Sequence, residues 1–410
     1  MNLNLIEQED ISNMKDIQDI QEKYKNRTVI NSRYIFEKKI GSGSFGSVYR
    51  GKNIISEDKV AIKFEATTAK IPTLLWESKI LNHLAGTPGV VKLRYFGTEV
   101  NKNIIVMDLY SHTLYDEVDK LKKSFLKLEE QKQEEQDQKK EEKQLESEND
   151  SPNNESPKRE MNTSSKDITN DNDTKHDTNH DTNYDTNDEL EVNIKDMKEM
   201  KEMKDIENDC IKEEQQGNIT NNIPQFTKEV TQYLIKMLQI IHKVHDAGIV
   251  HRDIKPENFM ISFSELGKED SEKKVNIIDF GLSRFYMKGD KHIINTYDKS
   301  IVGTVRYISR HIHEGNVYSR RDDIISILYV AIYLLKGKLP WNGIVPKKYV
   351  KITKEELIYD KKIKTTSSEL CEGLPPMYEK LVDYAYGLEF EEKPDYLYMI
   401  RQCKNLLKVI

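Results

Sequence analysis

The chain has 410 residues, and its 63 Lys and Arg against 70 Asp and Glu leave a formal net charge of −7. Three cysteines without paired or metal-like spacing argue against a disulfide scaffold and indicate free thiols in a reducing compartment. The N-terminus has no apolar signal core, and the longest apolar run, residues 324–335, is about half as long as a membrane span. We therefore expect a soluble intracellular protein, cytoplasmic or nuclear, without a membrane partner, in which that run is a buried helix.

Residues 1–33 form a polar N-terminal extension in which four apolar side chains recur at roughly helical spacing. These side chains are Ile11, Met14, Ile17 and Ile20. Two interpretations stay open for this extension, a short docking helix and a frayed tail.

From residue 34 the sequence becomes strand-like, with β-branched and aromatic residues in short runs between turn residues. The predicted strands cover residues 34–40, 47–50, 59–64, 92–96 and 103–109. The first three predict an antiparallel meander, and a helix is predicted over residues 73–84, before the fourth strand.

The first predicted hairpin carries the glycine pattern G-x-G-x-x-G-x-V. The pattern is formed by Gly41, Ser42, Gly43, Ser44, Gly46 and Val48. Glycines let a hairpin backbone approach phosphate oxygens, so the pattern is typical of a phosphate-binding loop. Dinucleotide-binding folds share the spacing but start a helix at the glycines, whereas this sequence continues into another strand. A plain glycine-rich hairpin is the remaining alternative.

Lys63 ends a Val-Ala-Ile-Lys stretch that includes Ala61 on the third predicted strand. An ammonium group there would contact the α- and β-phosphates of a nucleotide and would need a carboxylate to fix its position. Glu77, on the predicted helix 73–84, is the candidate partner. The alternative is that Lys63 and Glu77 are ordinary surface charges, the commonest fate of both residue types. The spacing behind the glycines favours the nucleotide site.

Residues 118–222 lose hydrophobic periodicity over most of their length and contain short polar repeats. Such a composition cannot bury enough apolar surface to offset the entropy of ordering, so we predict a low-complexity insert that is mostly disordered. A Glu/Lys/Gln run at 120–150 is a solvated helix at best. Three roles stay open for the insert: a low-complexity expansion without function, recruitment of an unknown partner, and an acidic mimic of a substrate.

The insert holds most of the negative charge of the chain. It carries 17 Lys and Arg against 30 Asp and Glu, a net charge of −13, and the rest of the chain has a net charge of +6. A mildly basic folded part suits acidic or phosphorylated partners, and we predict no nucleic-acid partner.

After the insert, apolar residues between 230 and 244 follow the steps of an amphipathic helix. The helix leads into the loop H-R-D-I-K-P-E-N at 251–258, and a D-F-G triplet follows at 279–281. The spacing of these two elements predicts a site that moves a phosphoryl group from ATP to a hydroxyl.

Four residues of these elements have chemistry suited to that transfer. Asp253 would accept the proton of the substrate hydroxyl, and Lys255 would neutralise charge on the γ-phosphate. Asn258 and Asp279 would supply hard oxygen ligands to Mg2+. Packing is the preferred interpretation of His251 at the start of the loop.

Gly303-Thr304 can be read in two ways. It is either a plain turn or the source of a hydroxyl that bridges Asp253 and Lys255.

With these motifs in place, the chain resembles the eukaryotic protein kinases and, within them, the casein kinase 1 family. The resemblance extends to E-S-K at 77–79, G-T-V-R-Y-I-S at 303–309, S-R-R-D-D at 319–323, L-P-W-N-G at 339–343 and K-P-D-Y at 393–396. It implies an α+β, two-lobed kinase fold with a small antiparallel β-rich N-lobe, a larger helical C-lobe and the insert in the C-lobe. Residues 34–117 would form the N-lobe, hinge and start of the C-lobe, and residues 223–410 the rest of the C-lobe.

The resemblance also implies a monomeric Ser/Thr kinase that uses ATP and Mg2+ and favours acidic or already phosphorylated protein substrates. Met107, Asp108 and Leu109 would form the gatekeeper and hinge against adenine. Asp116 lies where a contact to ribose is expected, and Asp323 is similar to the buried aspartate that braces the catalytic loop.

A basic pocket for an anion is implied at Arg252, Arg320 and Lys354. For Arg320 the alternative is a structural ion pair with Asp322 or Asp323. The basic stretch that the family carries after L-P-W is replaced here by K-E-E-L at 354–357, so phosphate priming is an open question. A scaffold without catalysis is the competing function, but it would be favoured by loss of the catalytic residues, and all are present.

Overall fold

The computed structural model describes residues 29–43, 46–70, 72–149, 223–262, 273–297, 300–346 and 351–410. Apart from residues 127–149, the described residues belong to one compact unit. The predictions made for residues 1–28 and for Ser44 concern residues outside the described ranges. The same holds for the disorder predicted for the insert over residues 150–222. Within the described part of the chain, no helix has the length and apolar character that a membrane span requires.

The N-terminal lobe is a six-stranded antiparallel sheet in the order β1-β2-β3-β4-β6-β5. Its strands are β1 (Val29–Ile30), β2 (Tyr34–Gly43), β3 (Gly46–Asn53), β4 (Lys59–Ala66), β5 (Leu93–Glu99) and β6 (Lys102–Asp108). The five predicted strands are confirmed, and β1 is an addition. Helix α1 (Leu74–His83) follows β4 and confirms the predicted helix to within one residue at each end.

Strand alternation gives the sheet two different faces. On β4, Val60 and Ile62 belong to one small apolar cluster, while Ala61 packs in the main core. Because successive side chains of a strand point to opposite faces, Lys63 lies on the same face as Ala61. The register places Lys63 opposite Val48 of β3 and Ile105 of β6, which positions the lysine under the glycine hairpin.

The C-terminal lobe is mainly helical. Its helices are α2 (Leu114–Asn149), α3 (Ile223–Asp246), α4 (Arg310–His313), α5 (Arg320–Lys336), α6 (Lys354–Lys364), α7 (Ser367–Cys371), α8 (Pro376–Tyr386) and α9 (Tyr396–Leu406). Helix α5 is buried over most of its length and packs against α3, which confirms the buried helix predicted from the apolar run. The predicted α+β arrangement, with a sheet-rich N-terminal lobe and a helical C-terminal lobe, is confirmed.

Short strands that pair with one another shape the loops between the helices of the C-terminal lobe. They are β7 (His112–Thr113), β8 (Ile249–Val250), β9 (Phe259–Ile261), β10 (Val275–Ile277), β11 (Arg284–Phe285), β12 (Met287–Lys288) and β13 (Lys291–His292). Strand β9 pairs with β7 and β10, and β8 pairs with β11. These pairings bring the loop after β8 next to the loop after β10.

Helix α2 crosses the predicted start of the insert at residue 118 without a break. Its first turns are anchored by Leu114 and Val118, which are buried. From residue 127 the described side chains are almost all exposed, which agrees with the solvated helix predicted from the Glu/Lys/Gln run.

Candidate active site

Lys63 joins two carboxylates that are far apart in the sequence. Its Nζ lies 2.8 Å from Oε2 of Glu77 on α1 and 2.9 Å from Oδ1 of Asp279, which follows β10. Lys63 and Glu77 are both buried, so the alternative that they are ordinary surface charges is wrong. A buried lysine between two carboxylates is a fixed positive charge at the base of the cleft.

Burial and ion pairing shift the pKa values of Lys63, Glu77 and Asp279 in opposite directions. Burial by itself would lower the pKa of Lys63, but attraction to Glu77 and Asp279 outweighs it and raises the pKa. Burial raises the pKa of Glu77, against the attraction of Lys63. Burial also opposes ionisation of Asp279, but the neighbouring Lys63 lowers its pKa below the ordinary value. The lysine is therefore charged, and Asp279 is held as a carboxylate suited to binding a cation.

Asp253 receives a hydrogen bond on each carboxylate oxygen. The backbone N and hydroxyl of Thr304 donate to Oδ1 at 3.0 and 2.7 Å, and Nζ of Lys255 donates to Oδ2 at 2.7 Å. Of the two interpretations of Gly303-Thr304, the structure therefore favours the one in which the hydroxyl contacts Asp253. The carboxylate is held in one orientation by residues that lie on both sides of it.

Asp323 braces the loop that carries Asp253. Its carboxylate accepts the backbone N–H groups of His251 at 2.7 Å and of Arg252 at 2.9 Å, and it contacts Nε2 of His245 at 3.0 Å. Burial opposes ionisation of Asp323, but its interactions with His245 and His251 together outweigh burial and lower the pKa. Arg252 has a φ of 74°, a left-handed conformation that such a brace stabilises.

His251 has the packing role that the sequence favoured. Its Nε2 lies 3.0 Å from the carbonyl oxygen of Ile278, and its ring packs edge-on against Phe280 at 4.9 Å between centroids. The histidine thus links the loop of Asp253 to the loop of Asp279, which brings the two predicted motifs together.

A buried lysine supports the segment that contains Thr304. Lys362, on α6, donates to the carbonyl oxygens of Val305 and Ile308, both at 2.7 Å, and its Nζ lies 5.2 Å from the ring centroid of Trp341. Burial lowers the pKa of Lys362 well below its ordinary value. Sequence reasoning missed this residue, because a lysine in the basic stretch of an amphipathic helix reads as a surface charge.

Helix α1 is tied to the segment that follows Asp279. The indole Nε1 of Trp76 donates to the carbonyl oxygen of Ser283 at 2.7 Å, and its ring packs edge-on against Phe285. Because Trp76 directly precedes Glu77, this contact fixes the end of α1 that carries the carboxylate partner of Lys63.

An apolar cavity of about 200 Å³ lies under the glycine hairpin. Its lining includes the predicted residues Gly46, Val48, Ala61, Lys63, Glu77, Met107, Asp108, Leu109 and Asp279. It also includes Ile40, Tyr110, Met260 and Ile278, which the sequence reasoning did not identify. Two of them could have been found because they adjoin predicted site residues: Ile40 precedes Gly41, and Ile278 precedes Asp279. An apolar slot that ends in paired charges matches the shape and polarity of a nucleotide.

Two other predicted nucleotide contacts have protein partners in the structure. Asp108 accepts a hydrogen bond from Nε of Arg94 at 2.5 Å, and its backbone N–H donates to the carbonyl oxygen of Lys92 at 3.2 Å. The adenine contact stays a prediction. Asp116 accepts hydrogen bonds from the backbone N and hydroxyl of Thr113 at 3.0 and 2.7 Å, which caps α2. The ribose contact of Asp116 stays a prediction.

The three residues predicted to bind an anion are in different surroundings. The guanidinium of Arg320 packs over the ring of Tyr286 at 4.7 Å and donates to the carbonyl oxygen of Glu391. Among the described contacts it forms no ion pair with the nearby aspartates, so that alternative is wrong. Arg252 lies over the ring of Tyr318 at 5.3 Å, and Lys354 is exposed at the start of α6. The anion pocket stays a prediction.

The role of metal ligand stays a prediction for Asn258 and Asp279, and the structure shows how the amide of Asn258 is held. Nδ2 of Asn258 donates to the backbone oxygen of Asp253 at 2.8 Å and to its Oδ2 at 3.2 Å. Because the nitrogen is held by the loop, the amide presents its oxygen on the opposite side. Within the described residues no group of three or more His, Cys, Asp or Glu forms a metal site. Asn258 and Asp279 offer two side-chain oxygen donors, and Mg2+ at phosphate-binding sites commonly takes its other ligands from phosphate and water.

Comparison with protein families agrees with this geometry. The model of the protein kinase domain matches residues 34–140 and 192–386, which is more than half of the chain. That family comprises phosphotransferases that act on proteins with ATP and a divalent metal ion. On the match and the site together, the chain belongs to the protein kinase family.

Proposed function

We propose that the protein is a serine/threonine kinase of the casein kinase 1 type that transfers the γ-phosphate of ATP to serine and threonine hydroxyls. The observation that carries the proposal is the contact of 2.7 Å between Nζ of Lys255 and Oδ2 of Asp253, together with the hydroxyl of Thr304 on Oδ1. A lysine two residues after the catalytic aspartate is typical of the Ser/Thr form of this loop.

In the proposed reaction, Asp253 orients the substrate hydroxyl and accepts its proton. The hydroxyl oxygen forms a bond to the γ-phosphorus while the bond from phosphorus to the β,γ-bridging oxygen breaks. Lys255 neutralises charge on the transferred group, and Lys63 holds the α- and β-phosphates. Mg2+ at Asn258 and Asp279 would supply further charge neutralisation on the phosphate oxygens.

The preferred substrates would be acidic or already phosphorylated proteins. Support comes from the net charge of +6 outside residues 118–222, and from Arg252 and Arg320 in the lobe that carries Asp253. The position of Lys354 at the start of α6, followed by Glu355 and Glu356, argues for a weaker anion site than a fully basic stretch would give. We expect the enzyme to act as a monomer.

The test is transfer of labelled phosphate from ATP to casein, to a pre-phosphorylated peptide and to its unphosphorylated form. Asp253→Asn should reduce the rate by roughly 10²–10⁴, the usual contribution of a positioned base, and Asp279→Asn should remove metal-dependent turnover. Asp290→Asn, at an exposed position, is the matched control and should retain wild-type activity. Product analysis should find phosphoserine and phosphothreonine; phosphotyrosine as the main product, or full activity of Asp253→Asn, would contradict the proposal.

A further inference from the structure

The N-terminal lobe has a large apolar cavity on the side of the sheet away from Lys63. We call it the outer-face cavity; its larger apolar lining residues are Ile30, Phe36, Tyr49, Phe64, Val100 and Ile104. The charged residues Glu65, Glu99 and Lys102 also line it. Its volume is about 640 Å³, roughly three times that of the nucleotide cavity. Ile62 and Ile104 belong to the small apolar cluster on this face, which is separate from the main core.

Aromatic side chains form the floor of the outer-face cavity. The rings of Phe36, Tyr49 and Phe64 pack edge to face on one another, with centroids 5.4 to 5.8 Å apart. Phe36 is 38% exposed and Val100, at the rim, is 90% exposed. Exposed apolar side chains beside a cavity are typical of a binding surface.

The chain itself enters the fold at this cavity. Strand β1 pairs with β2 through Val29 opposite Ile35 and Ile30 opposite Tyr34, and Ile30 lines the cavity. The segment of residues 1–28 is therefore joined to the sheet beside the cavity. A segment tethered there has a high effective concentration at the cavity, so even a weak apolar contact would be occupied.

The sequence before Val29 has a suitable length and pattern. If it is helical, the stretch from Ile11 to Ile20 would be about 15 Å long and would carry its four apolar side chains in a stripe that spans about half of its circumference. The eight residues between Ile20 and Val29 can span up to about 27 Å. That exceeds the roughly 24 Å across five spacings of a six-stranded sheet, so the stripe can reach every part of the outer face.

We propose that residues 1–28 dock back onto the N-terminal lobe, with the stripe Ile11, Met14, Ile17 and Ile20 in the outer-face cavity. Gly46 lines both this cavity and the nucleotide cavity, and Ser47 beside it also lines the outer one. A docked segment therefore supports the glycine hairpin from behind. The N-terminal extension acts as an intramolecular brace of the hairpin that closes over the nucleotide.

Hydrogen exchange on the full chain tests the docking without any need for catalysis, so its outcome is independent of the proposed function. Ile17→Asp places a charge in the stripe and should raise amide exchange in β2 and β3 about tenfold. Ser12→Asp adds the same charge on the opposite side of the predicted helix and should leave exchange unchanged. Equal exchange in wild type, Ile17→Asp and Ser12→Asp would overturn the proposal.

A dilution series separates the tethered segment from a second copy of the chain as the occupant. With intramolecular docking, the protection of β2 and β3 should be the same at every protein concentration. Protection that disappears on dilution, together with a dimer in sedimentation velocity, would overturn the proposal in favour of a second copy. A peptide of residues 1–28, added in excess to the full-length Ile17→Asp variant, should restore the protection, and the same peptide with Ile17→Asp should not.

Discussion

Thr304 holds Oδ1 of Asp253 with two donors, its backbone N at 3.0 Å and its hydroxyl at 2.7 Å. The two residues are 51 positions apart in the sequence. The orientation of the carboxylate therefore depends on the segment before α4 as well as on its own loop.

Replacement of Thr304 by Ala should lower kcat/KM about 10- to 100-fold, because a hydrogen bond to a charged group contributes about 1.5–3 kcal/mol. Thr304→Ser keeps the hydroxyl and should retain most of the activity. Steady-state kinetics on both variants measure the effect. Wild-type kinetics for Thr304→Ala would show that the backbone donor alone orients Asp253.

Replacement of Lys362 by Met should destabilise the protein by about 1–3 kcal/mol, because it leaves the carbonyl oxygens of Val305 and Ile308 without their donor. Urea denaturation gives the free energy of unfolding. Lys361→Met, at the exposed neighbouring position, is the control and should lie within about 0.5 kcal/mol of wild type. Equal stability of the two variants would rule out a supporting role for Lys362.

Substitution of two glycines with positive φ distinguishes the cost of backbone strain from the cost of steric overlap. Gly46 has a φ of 127°, and a Cβ there would lie 2.0 Å from the carbonyl oxygen of Phe64. Gly86 has a φ of 80° and open space around it. Gly86→Ala should cost only the roughly 1–2 kcal/mol of a left-handed alanine, whereas Gly46→Ala should cost more and also raise the KM for ATP. Equal unfolding midpoints and unchanged KM would contradict this account of Gly46.

His245 should make stability depend on pH in the mildly acidic range. Burial lowers its pKa below 6.5, and the neighbouring Asp323 opposes that effect only in part. The unfolded chain therefore binds a proton on this ring more readily than the folded protein. Stability from His245 is complete above pH 6.5 and is lost as the pH falls from 6.5 towards the folded pKa, with a slope of at most about 1.4 kcal/mol per pH unit.

The variant His245→Gln isolates this contribution. It should be less stable than wild type at pH 7.5, because the imidazole also contacts the hydroxyl of Tyr396 at 2.6 Å. The difference between the two should shrink as the pH falls to 5.5, above the range in which Asp323 titrates. His83→Gln, at an exposed position, should keep the wild-type profile. A constant difference across the range would refute the assignment.

The sequence predicted the residues of the site that carry distinctive chemistry. Lys63, Asp253, Asn258 and Asp279 lie in motifs whose spacing fixes both their type and their neighbours. Short runs of β-branched and aromatic residues between turn residues likewise predicted the sheet around Lys63. Apolar lining residues such as Met260 have no such signature, since an apolar residue in a strand reads only as core.

Contacts between distant segments were the part that the sequence could not supply. The aspartates next to Arg320 made a structural ion pair the alternative for that residue, but its partners are Tyr286 and Glu391, 34 and 71 residues away. Strands of two residues, such as β8, are defined by their partner and not by their own pattern.

The boundary placed at residue 118 followed the loss of an apolar stripe, whereas helix α2 needs only good helix formers to continue.

The hydrogen bond between Trp76 and Ser283 limits how this kinase can be switched off. An outward rotation of α1 would separate Lys63 from Glu77, and it would also remove the indole from the ring of Phe285 and leave the Ser283 carbonyl oxygen without its donor. These losses occur together, because Trp76 and Glu77 are adjacent. Inactivation by displacement of α1 is therefore energetically unfavourable, and control at the level of substrate access requires no such rearrangement.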